Sequence, residues 1–124
     1  MRTLRIDHVV VATPDAEGAA ATFQSHFGLP SSTSLGGSPT LQIGGARIAF
    51  VTPAAGTTLA AALASGGEGM AQVCLEVASL AEAEASLRQA GVGFTAESTG
   101  GGRAIAVDPG AAHGVRLILL EGPR

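Results

Sequence analysis

The chain has 124 residues, of which 46% are hydrophobic and 14% charged, and its formal net charge is −3. That length suits one domain with a buried core, and no apolar run approaches the roughly 18 residues that a membrane-spanning helix needs. All seven cationic residues are arginine and form no basic stripe interleaved with aromatics, so neither a nucleic acid nor a membrane is the expected partner. Trp and Tyr are absent, which leaves Phe23, Phe27, Phe50 and Phe94 as the rings that could stack on a ligand. Cys74 has no cysteine to pair with, as in a reducing cytoplasm. The first residues enter a strand pattern directly, so no signal peptide is expected.

Leu4 to Ala12 is short, apolar and β-branched, the pattern of a buried strand with one histidine in it. Thr13-Pro14-Asp15 stops that strand and starts a helix. The helix runs to Phe27 with Ala19, Ala20, Phe23 and Phe27 along one stripe, and Gly28 is a natural residue to close it. Pro30 to Pro39, rich in Ser and Gly, predicts a short edge strand and a loop. Thr40 to Ile43 and Ala46 to Thr52 read as strands joined by the tight turn Gly44-Gly45. The connector that follows holds a short helix from Thr57 to Ala64. Ala71 to Val77 is again a strand, and Ser79 caps a helix ending near Ala90. Its first turn carries Glu82 and its last Arg88, as the helix dipole favours; Leu80, Ala83, Leu87 and Ala90 form its apolar stripe. Val92 to Ala96, Arg103 to Val107 and Val115 to Glu121 complete the strands. Gly100 to Gly102 reads as a flexible flap, and Asp108-Pro109-Gly110 as a turn.

Each half therefore reads as strand, helix and three strands. Asp7-His8-Val9-Val10 aligns with Ala71-Gln72-Val73-Cys74, and Ala46 to Val51 aligns with Val115 to Leu120, arginine over arginine. The expected fold class is α+β: two βαβββ modules side by side in a curved mixed sheet around a cleft. The modules span about 1–53 and 70–124 of one domain, 1–124, with the connector at 54–69.

Ile6-Asp7-His8-Val9 with Ala12-Thr13-Pro14-Asp15, the connector Gly67-Glu68-Gly69-Met70, and Asp108-Pro109 followed by His113-Gly114-Val115 resemble the vicinal-oxygen-chelate superfamily. That superfamily comprises glyoxalase I, bleomycin-resistance proteins, extradiol dioxygenases and methylmalonyl-CoA epimerase; the epimerase and glyoxalase branch is the nearest in flavour. The resemblance implies the paired-module fold and, from its other members, a homodimer. In metal-using members it places one ligand on each of four strands. Here those positions fall on His8, Ala49, Gln72 and Ile118. Ala and Ile carry no donor atom, and a catalytic divalent site needs at least about three protein ligands. No cofactor is therefore expected; a divalent metal, were one present, would fall on His8 and Gln72. Glu121 lies three residues beyond Ile118 and belongs to the opposite strand face.

With His8 facing the cleft, strand alternation adds Ile6 and Val10, then Arg47, Ala49 and Val51, then Met70, Gln72, Cys74 and Glu76, and finally Arg116, Ile118 and Leu120. Ile48 and Phe50 are left under the helices. The expected ligand-lining residues are His8, Arg47, Ala49, Gln72, Cys74, Arg116, Ile118 and His113. His8 reads either as a satisfied core histidine or as a polar anchor and tentative catalytic base. Gln72 reads as a partner of His8. The two arginines read as rim residues, as partners of acidic side chains, or as anchors for a ligand carboxylate or phosphate. Cys74 reads as buried filler rather than a nucleophile. His113 lies in a loop that, in similar sequences, borders the cleft. Glu76, late on its strand, is expected to be exposed. These features suggest a metal-free protein binding a small, partly apolar ligand, with an anionic one allowed. The alternative is a lyase or isomerase of the glyoxalase or epimerase type using His8.

Overall fold

A computed structural model describes residues 1–32, 37–99 and 102–121. In chain order the elements are β1 (Thr3–Ala12), α1 (Ala16–Phe27), β2 (Thr40–Ile43), β3 (Ala46–Val51), α2 (Thr58–Gly66), β4 (Gly69–Val77), α3 (Leu80–Gln89), β5 (Phe94–Thr99), β6 (Gly102–Val107) and β7 (Leu117–Glu121), with a short 3-10 turn, Pro109–Ala112, before β7. The chain forms two compact units. One spans His8–Ala71; the other joins Met1–Asp7 to the chain from Gln72 onward. Strand β1 is thus divided between them.

In the unit His8–Ala71 the strand order is β2-β3-β1. β1 runs parallel to β3, with His8 opposite Arg47 and Val10 opposite Ala49. β2 and β3 form an antiparallel hairpin that pairs Ile43 with Ala46, and Gly44 at its turn takes φ 53°, a value that favours glycine. α1 starts where Asp15 accepts the Gly18 N–H at 3.0 Å and stops at Gly28, which is left-handed at φ 66°. Its inner face meets the sheet through Ala20, Leu41 and Phe50, with Val11, Ala16, Ala19, Phe23 and Ile48 packed around them. Phe27, expected on this stripe, is instead 65% exposed at the helix end, where it touches only the edge of Phe23 and His26 among the rings. Of the edge strand expected in 30–39, the described residues keep a bridge from Ser31 to Leu41 and a bridge residue at Ser38. Pro30 has no N–H to offer a ladder, although its carbonyl accepts from Gln42. The rest of that stretch, 33–36, lies outside the described residues.

The other unit runs β1-β4-β7-β6-β5, with β4 and β7 parallel and β5, β6 and β7 antiparallel. α3 lays Leu80, Ala83 and Leu87 on Val77, Ile105, Val107 and Leu119. Spacing of three and four residues puts these side chains on one helix face. Ser79 caps it by accepting from the Glu82 N–H, and Glu121 reaches under the same end to accept from the Leu80 N–H at 3.0 Å. Glu121 therefore points to the helix side of β7, as its strand parity predicts. Of the glycines at 100–102, Gly102 opens β6 and the other two lie outside the described residues.

Candidate functional site

The helix-facing cores fix which side chains stand on the opposite sheet face. In the unit His8–Ala71, Val11, Ile48 and Phe50 turn toward α1. Alternation then sets His8, Val10, Arg47 and Ala49 on the other face. His8 and Arg47 are half-buried register partners, while Val10 and Ala49 are buried.

In the other unit, Leu75, Val77, Leu117 and Leu119 turn toward α3, and Gln72, Cys74, Glu76, Arg116, Ile118 and Leu120 stand opposite. Here the side chains connect. Arg116 donates from Nε to Gln72 Oε1 at 2.9 Å and from Nη2 to Glu97 Oε1 at 3.3 Å. Gln72 in turn donates from Nε2 to Cys74 Sγ at 3.6 Å. Ile118 lies opposite Cys74 in register. Burial pushes the Cys74 thiol up to about 11; the Gln72 hydrogen bond and Arg116 pull it down, and Asp7 and Glu97 push it further up. A thiol held there stays protonated at neutral pH and is no nucleophile.

Glu76 departs from expectation. It is buried, at 8% exposure, because Arg5 covers it, donating from Nε to its Oε2 at 3.1 Å. The same guanidinium donates to Asp7 Oδ1 at 3.1 Å, so Arg5 joins two carboxylates. His113 is exposed and closes the 3-10 turn with φ 56°. It is the only non-glycine at positive φ among the described residues.

Of the expected site residues, then, Gln72, Cys74, Arg116 and Ile118 come together in one unit. His8, Arg47 and Ala49 come together in the other. Sequence reasoning missed three acidic partners. Glu97 was placed beyond the end of its strand, although Thr95 and Glu97 alternate with core-facing Phe94. Asp7, next to His8 on β1 and so of opposite parity, is held by Arg5. Glu68 accepts a hydrogen bond from the hydroxyl of fully buried Thr13, tying two of the sequence motifs, Ala12-Thr13-Pro14-Asp15 and Gly67-Glu68-Gly69-Met70, to each other. A cavity of about 320 Å³ opens beside Glu68, lined by Ala62, Leu63, Gly66, Gly67 and Met70 among others.

The superfamily's metal finds no fitting donor set. Ala49 and Ile118 are buried hydrocarbon side chains, 1% and 3% exposed, and the Gln72 carbonyl oxygen is already taken by Arg116. Among the described residues no three of His, Cys, Asp and Glu gather where they could hold an ion. No helix among them is long and apolar enough to cross a membrane.

The family model for the Glyoxalase/Bleomycin resistance protein/Dioxygenase superfamily matches residues 5–116. No curated protein matches the chain. Among solved structures, methylmalonyl-CoA epimerase from Mycobacterium tuberculosis superposes with a TM-score of 0.87 at 24% identity, over 98% of this chain and 90% of its own. The Streptomyces coelicolor methylmalonyl-CoA epimerase (Q60A), in complex with 2-nitronate-propionyl-CoA, gives 0.87 at 21% identity over 98% and 99%. A hypothetical protein from Bacillus halodurans gives 0.86 at 18% over 97% and 95%. At these identities the likeness is one of fold.

Proposed function

Starting from the premise that the chain belongs to the Glyoxalase/Bleomycin resistance protein/Dioxygenase superfamily, we propose that it binds a small, partly apolar ligand without a catalytic metal. The observation that carries this reading is the pair Ala49 and Ile118. Buried hydrocarbon stands at both positions where the superfamily resemblance expects a metal-ligating carboxylate or amide. His8 with Arg47, and Gln72 with Arg116, supply hydrogen bonds within otherwise apolar strand faces, the mixture that small-molecule sites use. The fold likeness to acyl-CoA-handling epimerases makes acyl-CoA esters, beside hydrophobic acids, the ligands to try first. Metal analysis of the dialysed protein and a thermal-shift panel of those ligands test the reading together. The expected outcome is substoichiometric metal with stabilisation by at least one class. Stoichiometric zinc, nickel or cobalt sinks the metal-free half, and a blank panel sinks the binding half.

A second reading makes His8 a general base in a metal-free isomerase. The register that sets Arg47 beside His8 favours it, because proton abstraction next to a carbonyl needs a cation or donor for the oxyanion that forms. Exchange of the α-proton of methylmalonyl-CoA in deuterated water, lost in His8→Ala, is its signature; no exchange above buffer removes it. In this account the protein works in the cytoplasm, with Cys74 reduced, as a homodimer. The large apolar side chains of Leu4, Ile6 and Met70, each at least 47% exposed, are the kind of surface that pairing covers.

A further inference from the structure

We infer that Glu97 is a specificity-determining residue that reserves Arg116 for neutral hydrogen-bond acceptors and turns anionic ligands away. This rests on the small-ligand reading above and narrows it: at the Arg116 end the ligand presents an amide, ester or thioester carbonyl rather than a carboxylate or phosphate, which favours the acyl esters over the hydrophobic acids there.

Geometry carries the inference. The Arg116 guanidinium is hydrogen-bonded to Gln72, one of the ligand-lining residues on this strand face, and it is only 19% exposed at its side chain. An arginine has five N–H donors. Here Nε serves Gln72 and one Nη2 hydrogen serves the Glu97 carboxylate, which leaves N–H donors over for a further acceptor. The charge, however, is already matched. A carboxylate or phosphate approaching those donors would meet Glu97 as a like charge on the far side of the same guanidinium. A neutral carbonyl could accept the remaining N–H groups without displacing it. The local field has the same sign: of the charges acting on Cys74 next door, Asp7 and Glu97 are negative and only Arg116 is positive. Glu97 is half-buried on β5, paired through the ladder to Ala104, so a fixed strand rather than a loop holds its carboxylate in place.

The test follows the Arg116 Nε–H resonance by NMR while inorganic phosphate, hexanoate and hexanamide are titrated separately into the native chain and into Glu97→Gln, with Glu97→Ser as a second variant. The expected result is that removing the carboxylate tightens phosphate and hexanoate at Arg116 by about fivefold or more and moves hexanamide by less than about twofold. Glu84→Gln is the control: Glu84 pairs with Arg103 at 3.1 Å on the α3 side of the sheet, so neither anion should gain. The inference is overturned if the native chain takes hexanoate as readily as Glu97→Gln, or if neither variant lets any anion shift Arg116. A gain for phosphate with no hexanamide binding anywhere would support Glu97's role and overturn the small-ligand reading, so the two fail separately.

Discussion

In the unit His8–Ala71 the core under α1 rests on one ring, Phe50, with Leu41 and Ala20. The unit of Met1–Asp7 and Gln72 onward instead packs three aliphatic side chains of α3 on four of the sheet. Each contains a strand, a helix and an antiparallel strand pair in that order, yet one concentrates its burial and the other spreads it. The aromatic core gains edge-to-face contact, Phe23 lying 5.0 Å from Phe50, at the cost of having few neighbours able to fill its place. The aliphatic core has many similar contacts, so that losing part of one leaves the rest.

The sharpest way to break this contrast is Phe50→Ala, expected to cost about 3–5 kcal/mol in chemical denaturation, against about 0.5–1.5 kcal/mol for Ile105→Val in the other unit. Similar costs would mean that the two cores are equally redundant. Next in size is an alkaline effect confined to the aliphatic unit, which alone contains a thiol. With Cys74 raised from 9.0 to about 11, the folded chain keeps a proton that the unfolded chain has lost between those values. Stability is therefore complete below pH 9 and falls as pH rises toward 11, by on the order of 2 kcal/mol. Cys74→Ala should flatten that stretch of the pH–stability curve, and an unchanged slope would refute the assignment. Smallest are the caps. Asp15→Ala should cost about 1 kcal/mol. Ser79→Ala should cost less than that, because Glu121 still serves the first turn of α3; thermal midpoints compare the two directly.

Most of the fold could be read from the residues. Local chemistry announced Asp15, Gly28, Gly44 and Ser79, and each sits where its backbone role requires. The strand ends that were displaced share one cause. Val92 N–H closes α3 by donating to the Leu87 carbonyl at 2.8 Å, and Val115 N–H closes the 3-10 turn onto Ala112. Apolar residues thus serve as helix and turn endings, and β5 and β7 begin two residues later than hydrophobicity suggests. That shift carried Glu97 into β5. Side-chain pairs joining residues about 70 apart, such as Arg5 with Glu76, leave no periodic trace, so the burial of Glu76 was not legible. The face of each strand was: parity alone put Phe50 and Ile48 with the helix and Glu121 beside α3.

The division of β1 has a consequence for the order of synthesis. Met1–Asp7 are made before His8–Ala71 but belong to a unit whose other residues begin at Gln72. For the time it takes to make some 65 further residues, they have no finished partner; at about 5–20 residues per second that is several seconds. Neither unit can be excised by one cut, since a fragment starting at Gln72 would lack the strand that borders β4 and expose a bare edge. The hydrogen bond from the Ala78 N–H to the Arg2 carbonyl, at 3.0 Å, can close only after the whole of His8–Ala71 has been made.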